Sequence, residues 1–520
     1  MISVKNLTIE TLKGRKLIEN LSFNLNDGDK MAVIGEEGNG KSTLIKAIID
    51  PSLVSDYCEV TGSVNLNNST IGYLEQRLDL GWNDYTVLEY FLKPSLDSDI
   101  DYSLYNQINE IEKILRKLNF NVNHLNNEAL ISTLSGGEKV KIQLAKLRIM
   151  SPDVIFLDEP TNDLDIETLE KLESFILSTK APIMYISHDE TLLENTANII
   201  LHIEQLIKKT KPKYTLKKCS YSEYVESRKR AIEHQTQIAY NERRERDKKE
   251  EILRQMKQKV ENALVGAKKD PSSGRIIAKK MANVKALERR YDNEELTEIP
   301  DVEEAIKLIV DENITIPSQK IVLDLNLDEL KVDNLVLANN INLKVVGPER
   351  IAIIGNNGCG KTTLIKTIVP ILQQVKGIKV GYFSQNYFEI LDYNKSAVDE
   401  LSYCIDFGYN PRTLLGSLKF TRDEMEHKIM NLSEGQKAKI ALCKLIIEKN
   451  NVLVLDEPTR NLSPLSNPVI REMLNNFHGA IIAVSHDRKF ISNVCDTVYS
   501  LDKSGLTKIP MCKLSSEQSY

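Results

Sequence analysis

With 520 residues, the chain is longer than one hydrophobic core usually supports, and several domains are expected. Hydrophobic residues make up 41% of the sequence and charged residues 27%, as in globular proteins, and no uncharged apolar run is long enough to cross a membrane. The seven scattered cysteines contain no C-x-x-C pair and the N-terminus lacks a signal-peptide pattern, which disfavours a disulfide framework and a cysteine zinc site and predicts a cytoplasmic location.

The first element with a chemical signature is segment 31–45, which reads MAVIGEEGNGKSTLI. An apolar strand, a Gly-rich turn and a helix start with Lys and Ser fit the phosphate-loop pattern G-x-x-x-x-G-K-[ST]. Backbone N–H groups and the helix dipole surround phosphate oxygens in such a loop, the lysine neutralises them, and the hydroxyl holds Mg²⁺. The predicted nucleotide-binding residues here are Gly35, Gly38, Gly40, Lys41, Ser42 (also a metal ligand) and Thr43.

An acid pair follows the next strongly apolar strand, VIFLDEPT, at 154–161. Asp158 suits Mg²⁺ coordination, and Glu159 suits polarisation of an attacking water. The same pair after a buried strand would cap a helix in a protein without a nucleotide. LSGGE at 134–138 precedes this strand and opens a helical stretch, and His188 in YISHD and Gln76 in GYLEQ are further candidate catalytic residues.

The middle of the chain differs in charge from both ends. Residues 221–290 contain 19 Lys or Arg and 11 Asp or Glu, although the whole chain has a net charge of −6. From Ser222 to about Leu264 the residues are helix formers without Gly or Pro. Apolar residues at helical spacing predict two antiparallel helices that pack together. They are Ile252, Leu253, Met256, Val260, Ala263 and Leu264, then Ile277, Met281, Val284, Leu287 and Tyr291.

A basic apex near 264–276 lies between these helices. Gly266 is predicted to end the first helix, and Asp270, Ser272 or Ser273 to begin the second. Basic side chains favour phosphate backbones, and the scarcity of aromatics favours a folded RNA over a stacked single strand. The candidate RNA-binding residues are Arg243, Arg244, Leu264, Val265, Lys268, Lys269, Arg275, Lys279 and Lys280. A solvated helical linker with a plain turn is the alternative.

The second half repeats the motifs of the first in the same order. IAIIGNNGCGKTTLI at 351–365 is a second phosphate loop, LSEGQ at 432–436 a second helix start, and VLVLDEPT at 452–459 a second acid-bearing strand. The recurrence of His at the same place in both halves favours contact with a γ-phosphate over a structural role, whereas the glutamines are weaker signals that only the repeat strengthens. The corresponding candidates are Gly355, Gly358, Gly360, Lys361, Thr362 and Thr363 for the nucleotide, Thr362 and Asp456 for the metal, and Glu457, His486 and Gln385 for catalysis.

These motifs and their order resemble the ATP-binding-cassette (ABC) ATPases over both halves. The resemblance implies an α/β fold with two P-loop domains in tandem, Mg²⁺-dependent ATP hydrolysis, and two ATP molecules held between head-to-tail halves of a monomer. Each phosphate loop would face the signature segment, LSGGE or LSEGQ, of the other half. Ser135, Gly136 and Gly137 would then close on ATP held at Lys361, and Ser433 and Gly435 on ATP held at Lys41.

Departures from the family pattern predict that the two sites are unequal. The first half reads TNDLD at 161–165, but the second reads TRNLS at 459–463, and Glu434 replaces a signature glycine. An acid beside a phosphate group repels it unless it points away. Where family members usually stack an aromatic on adenine, the first half offers Leu12 and the second half only the aliphatic residues of segment 330–340, so the residue that covers the base is left open.

Two cassettes, a charged helical linker and the lack of a membrane segment resemble the ABC-F translation factors. The resemblance implies that the ATP-bound protein occupies the ribosomal E site and that the linker reaches P-site tRNA and 23S rRNA near the peptidyl-transferase centre. The LSEGQ and TRNLS segments look more like the antibiotic-resistance branch, in which the linker tip displaces drugs such as lincosamides, pleuromutilins and streptogramin A.

Three functions therefore remain open: a ribosome-protecting ATPase, a housekeeping ABC-F translation factor, and the ATPase subunit of a transporter. For the first two, we expect the 70S ribosome as partner, with no membrane and no DNA. The expected domains are 1–220, a linker at 221–295, and 296–520.

Overall fold

The computed structural model describes residues 2–126, 129–206, 211–266, 271–292, 297, 316–333 and 335–510, with side chains not described at 126, 264–266, 271–278 and 292. The chain forms two compact units. One comprises Met1–Tyr221 and Glu303–Tyr520, so the two halves that carry the repeated motifs pack as one unit. The other comprises Ser222–Val302 and contains the basic middle segment.

The first half is built on two sheets. Its described strands are Ile2–Thr11 (β1), Lys16–Leu25 (β2), Lys30–Ile34 (β3), Cys58–Asn65 (β4), Ile71–Leu74 (β5), Val154–Asp158 (β6), Ile183–Ile186 (β7), Ile199–Gln205 (β8) and Lys211–Lys217 (β9). An antiparallel sheet has the order β2-β1-β4, and a six-stranded sheet has the order β5-β6-β7-β3-β8-β9. The six-stranded sheet is parallel except for β9. Strands β3, β6 and β7 are buried along their whole length, because parallel sheets are covered on both faces.

The second half repeats this plan. Its described strands are Ile321–Val332 (β10), Leu335–Val346 (β11), Arg350–Ile354 (β12), Val380–Phe383 (β13), Val452–Asp456 (β14), Ala480–Val484 (β15), Thr497–Asp502 (β16) and Gly505–Ile509 (β17). The six-stranded sheet has the order β13-β14-β15-β12-β16-β17, and β10 pairs with β11. The predicted α/β fold with two tandem P-loop domains is therefore confirmed.

Helices pack on these sheets and form the middle segment. The described α-helices are Lys41–Ile49, Val87–Leu92, Ile108–Lys117, Asn123–Asn126, Gly136–Met150, Ile166–Ser178, Glu190–Thr196, Tyr221–Gly266, Pro271–Asp292, Lys361–Gln374, Ala397–Glu400, Pro411–Ser417, Arg422–Glu426, Glu434–Ile447, Asn467–Asn475 and Arg488–Val494. The core of the first half joins its two sheets around the helix Lys41–Ile49, with Leu21, Leu44 and Phe156 among its buried members.

Strand order brings the sequence motifs to one edge. The parallel strands β5, β6, β7 and β3 are neighbours, and the segments with Gln76, Glu159, His188 and the phosphate loop follow their carboxyl ends. Ligands of open α/β sheets bind at this edge. The same order in the second half gathers its own motifs at the equivalent edge.

Two long helices form the middle unit from Ser222 onward, Tyr221–Gly266 with 46 residues and Pro271–Asp292 with 22. Leu253 and Val284 are each 8% exposed, and Lys257 Nζ lies 3.1 Å from Glu288 Oε1. Along the return helix, Met281, Leu287 and Tyr291 are half-buried at the predicted helical spacing. The first helix ends at Gly266 and the second begins at Pro271, next to the predicted Ser272.

The predicted apolar stripe of the first linker helix is partly wrong. Ile252 is 53% exposed, Met256 is 46% exposed, and Ala263 is also exposed. A helix in a two-helix hairpin buries only a narrow seam. Leu253 and Val260 lie seven residues apart on that seam, whereas Ile252 lies about 100° around the helix from Leu253.

The basic residues of the middle unit are described only in part. Arg243, Arg244, Lys279 and Lys280 have exposed side chains. The side chains of Leu264, Val265, Arg275 and Ile277 are not described, and Lys268, Lys269 and Asp270 lie outside the described residues. Among the residues that the structure describes, no helix combines the length and apolar character needed to span a membrane.

Candidate functional site

The catalytic candidates of the first half meet at the carboxylate of Glu159. Gln76 Nε2 donates to Glu159 Oε2 at 2.8 Å, and Asn162 Nδ2 donates to the same oxygen at 2.7 Å. His188 Nε2 lies 3.1 Å from Glu159 Oε1, and its Nδ1 lies 2.7 Å from the backbone oxygen of Leu462 in the other half. The imidazole therefore links the acid of the first half to the backbone of the second.

The first phosphate loop wraps around its lysine. Lys41 Nζ donates to the backbone oxygens of Gly35 at 2.8 Å and Glu36 at 3.0 Å. Burial lowers the pKa of Lys41, and the nearby carboxylates, chiefly Glu159 and Glu37, oppose this shift. Gly35 has φ of 149° and Gly40 has φ of 88°, a backbone region that disfavours side chains. The predicted loop residues therefore form one concave backbone surface, and Thr43 is half-buried on the helix behind it.

The second phosphate loop has the same form. Lys361 Nζ donates to the backbone oxygens of Gly355 at 2.8 Å and Asn356 at 3.0 Å. Its glutamine contact differs, because Gln385 Nε2 donates to Asp456 Oδ1 at 3.0 Å, whereas Gln76 binds Glu159. The two halves thus place equivalent glutamines on different acids of the pair.

Each half pairs a hydroxyl with a buried aspartate, and both residues of each pair are candidate metal ligands. Ser42 Oγ donates to Asp158 Oδ1 at 3.0 Å, and Thr362 hydrogen-bonds Asp456. Burial raises the pKa of Asp158 to about 6 and also raises the pKa of Asp456, whose Oδ2 is buried without a hydrogen-bond partner. A cation would satisfy that oxygen. Because Mg²⁺ keeps several waters and phosphate ligands beside one or two protein oxygens, this donor set fits Mg²⁺.

The described residues contain no cluster of three or more His, Cys, Asp or Glu side chains suited to a metal ion. At Asp158 and at Asp456, one carboxylate and one hydroxyl offer oxygen ligands, and phosphate oxygens and water would supply the remaining ligands of Mg²⁺.

The second phosphate loop shares a cavity of about 490 Å³ with the first signature segment. We call this the Lys361 site. Its lining includes the predicted residues Ser135, Gly136, Gly137, Gly358, Gly360, Lys361, Thr362, Thr363, Gln385, Glu457, His188 and His486. Loop and signature thus come from different halves, as head-to-tail pairing requires.

The first phosphate loop shares a smaller cavity, of about 270 Å³, with the second signature segment. We call this the Lys41 site after the loop that borders it. Gly38, Ser433 and Gly435 line the cavity, whereas Lys41 and Ser42 lie outside its lining. Leu12 is 59% exposed, whereas Arg15 lines this cavity and Leu337 lines the larger one. Arg15 and Leu337 are therefore candidates to lie beside a nucleotide base. Leu337 belongs to the aliphatic segment 330–340 where the sequence placed the base, whereas Arg15 was not singled out from the sequence.

The two candidate catalytic glutamates have opposite electrostatic environments. Burial raises the pKa of Glu457 to about 8, although Lys361 opposes the shift. At Glu159, burial is outweighed by the hydrogen bond and charge of His188 and by Asn162, and the pKa falls to about 2. Both residues have a left-handed backbone, with φ of 50° at Glu159 and 51° at Glu457. The two glutamates thus have the same backbone conformation, but the basicity of their carboxylates differs.

The two histidines also differ. His486 Nε2 lies 3.5 Å from Glu457 Oε1, and its backbone N–H donates to Glu457 Oε2 at 3.2 Å. Burial, with repulsion from Lys361, lowers the pKa of His486 to about 3, and its Nδ1 is buried without a hydrogen-bond partner. His486 therefore lacks a cross-half contact at Nδ1 of the kind that His188 makes with Leu462.

Residues near the signature segments also join the two halves. Arg460 Nη2 lies 2.5 Å from Asp163 Oδ1, and Asn357 donates to the backbone oxygen of Asp163. The sequence marked Arg460 as a departure from the family pattern but did not identify its partner. Its ion pair is a cross-half contact at the rim of the Lys361 site.

Comparison with known families matches the description "ABC transporter" to residues 18–162 and 338–460. The chain is 26% identical to ABC transporter F family member 5 of Arabidopsis thaliana, covering 95% of this chain and 74% of that protein. It is 27% identical to ATP-binding protein Uup of Buchnera aphidicola, covering 97% and 81%. It is 28% identical to ABC transporter ATP-binding protein YfmM of Bacillus subtilis, covering 98% and 99%.

Solved structures with a similar fold include an archaeal ribosome recycling factor, aABCE1, in complex with ribosomal stalk protein aP1. The TM-score is 0.57 at 16% identity, covering 94% of this chain and 88% of that one. A chain named RNase-L Inhibitor also gives a TM-score of 0.57, at 15% identity over 94% of this chain and 87% of that one. At these identities, the likeness concerns the fold alone.

Proposed function

Because the chain belongs to the ABC transporter family and is an ATP-hydrolysing enzyme, we propose that ATP closes its two halves and that the closed form binds the ribosome through the basic helical segment. One observation carries the ATP-driven part of this proposal: each phosphate loop shares a cavity with the signature segment of the other half. A ligand that contacts both walls of such a cavity stabilises the closed arrangement.

In the proposed mechanism, Lys41 and Lys361 bind the phosphates, and the signature residues of the opposite half close on the γ-phosphate. Glu159 and Glu457 orient and polarise the attacking water. His188 positions Glu159 and also contacts Leu462 of the other half, so that closure and catalysis by Glu159 are coupled. Hydrolysis would then remove the contacts that hold the halves together.

Mg²⁺ would be held by Ser42 with Asp158 and by Thr362 with Asp456. When bound, it supplies positive charge that neutralises phosphate oxygens. The hydrogen bonds from the two hydroxyls hold the aspartate carboxylates in place for this role.

We further propose that the protein is an ABC-F factor that acts at the ribosomal E site in the cytoplasm. Similarity to F family and Uup proteins along almost the whole chain supports this assignment. The exposed side chains of Arg243, Arg244, Lys279 and Lys280 support contact with 23S rRNA or P-site tRNA. The proposed outcome is displacement of antibiotics near the peptidyl-transferase centre, by a linker tip that includes Leu264, Val265, Lys268, Lys269 and Arg275.

A housekeeping translation factor is the second candidate function. The relatives named above include Uup and plant F family proteins, and this similarity is equally compatible with a role in ordinary translation. The departures in LSEGQ and TRNLS favour the resistance branch.

The double variant Glu159→Gln and Glu457→Gln, with ATP, should sediment with 70S ribosomes in a sucrose gradient. Slower hydrolysis prolongs the closed state that binds. Additional Gln substitutions at Arg243 and Arg244 should weaken binding and reduce its salt dependence, because each lost phosphate contact removes about one unit of the salt slope. The matched control is Lys41→Ala with Lys361→Ala, which should stay at the top of the gradient. Equal sedimentation of this control and the trapped variant would contradict the proposal.

Expression of the chain in a susceptible bacterial host should raise the inhibitory concentration of lincosamides, pleuromutilins or streptogramin A at least fourfold, on the order of 1 kcal/mol of altered drug occupancy. The catalytically trapped double variant should give no such protection. An unchanged susceptibility to all three classes, together with ribosome binding in the gradient, would identify the housekeeping function instead.

A further inference from the structure

Two glutamates in the first phosphate loop contact the opposite half of the protein. Glu37 Oε2 accepts a hydrogen bond from the backbone N–H of Gly435 at 2.9 Å. Glu36 Oε1 lies 3.0 Å from Lys419 Nζ. Gly435 belongs to the second signature segment. Its N–H group, which closure would direct toward a γ-phosphate, therefore already donates to the Glu37 carboxylate.

The contact is tightly enclosed. A Cβ atom added to Gly435 would lie 2.6 Å from the backbone oxygen of Asn461 and 3.2 Å from the carboxyl carbon of Glu37. The signature backbone and the carboxylate are therefore in close contact, with no room for a side chain between them. A triphosphate bound at Lys41 would have to displace Glu37 to reach this N–H.

The Lys361 site has no such carboxylate at the equivalent position. Asn357 occupies the place of Glu37 in the second phosphate loop, and its amide donates to the backbone oxygen of Asp163. A Cβ atom added to Gly137 would lie 3.0 Å from Asn357 Nδ2, so the amide reaches the first signature as Glu37 reaches the second. The two sites therefore present a negative and a neutral side chain to equivalent signature glycines.

We propose that Glu37 is a specificity-determining residue of the Lys41 site, because it competes with the γ-phosphate for Gly435 N–H and narrows the preference for ATP over ADP. The inference rests on the proposed closing of the signature on ATP and is independent of the ribosome. ADP has no γ-phosphate and does not require that N–H. Glu37 also repels a bound triphosphate, and this effect weakens as salt screens the charge.

Glu37→Asn is the direct test, because it installs the residue of the other loop. The variant is made with Lys361→Ala, so that one functional site remains, and binding of a non-hydrolysable ATP analogue and of ADP is measured by equilibrium dialysis with Mg²⁺. Affinity for the analogue should rise about tenfold, and affinity for ADP less than about twofold. The gain should shrink in high salt.

Two further variants separate the specific contact from general charge. Asn357→Glu with Lys41→Ala should weaken analogue binding at the Lys361 site about tenfold, which keeps the test valid if Glu37→Asn folds poorly. Glu36→Gln removes an equal charge and the Lys419 pair but leaves the Gly435 contact, and it should not reproduce the selectivity gain. Unchanged analogue affinity in Glu37→Asn, an equal gain for ADP, or the same gain from Glu36→Gln would overturn the proposal. Because these measurements use purified protein alone, they succeed or fail independently of ribosome binding.

Discussion

Glu457→Gln should reduce steady-state ATP turnover about 100-fold, which is within the range that a positioned general base contributes, whereas Glu159→Gln should reduce it by less than about twofold. The pKa of Glu457 is about 8, close to the pH at which a carboxylate base is both ionised and proton-accepting. Glu159 is held by Gln76, Asn162 and His188, and its pKa of about 2 makes it a weak base. We therefore expect most turnover at the Lys361 site.

The same difference predicts a pH profile. In the Glu159→Gln variant, kcat/KM should rise about tenfold per pH unit below pH 8 and level off above it, because the protonated form of Glu457 cannot accept a proton. In the Glu457→Gln variant, the residual activity should be nearly flat from about pH 6 to 9, because Glu159 is ionised throughout. Equal losses of turnover in the two variants, or identical pH profiles, would show that the sites are equivalent.

Arg488→Met should destabilise the protein by about 3–5 kcal/mol, measured as a lower midpoint of thermal unfolding. The Arg488 side chain is 5% exposed and pairs with Glu173, and its Nη2 lies 3.8 Å from Asp189 Oδ1. Both acids belong to the first half, so this ion pair joins the two halves. Burial already raises the pKa of Asp189 to about 6, and loss of the arginine would leave two buried acids without their main cation.

Arg412→Met is the matched control for the buried pair. Arg412 is 56% exposed and pairs with Glu426, which is 55% exposed, within the second half. Exposed pairs of this kind contribute about 0–1 kcal/mol, since water screens both charges. A midpoint for Arg488→Met as high as that of Arg412→Met would mean that the buried cluster does not stabilise the joined halves.

Local sequence determined the elements of the two candidate nucleotide sites. Two apolar strands followed by Gly-rich turns predicted both phosphate loops, and the strand-ending acids predicted Asp158 and Asp456 beside the hydroxyls that now contact them. Such patterns are readable because each depends on a few consecutive residues with a special backbone, as the left-handed φ of Gly40 shows. The helices of the middle segment were also predictable from local sequence, because helix-forming residue types fill it without Gly or Pro from Ser222 to about Leu264.

Only the tertiary structure decided how the two sites differ. The contact of Glu37 with Gly435 spans 398 residues, and the contact of His188 with Leu462 spans 274, so no local pattern reports either one. The exposure of Ile252 and Met256 also depends on which narrow seam the partner helix covers. A sequence motif identifies the chemical groups that a site contains. The pKa of each group and its hydrogen-bond partners depend on burial and on residues that folding brings from the other half.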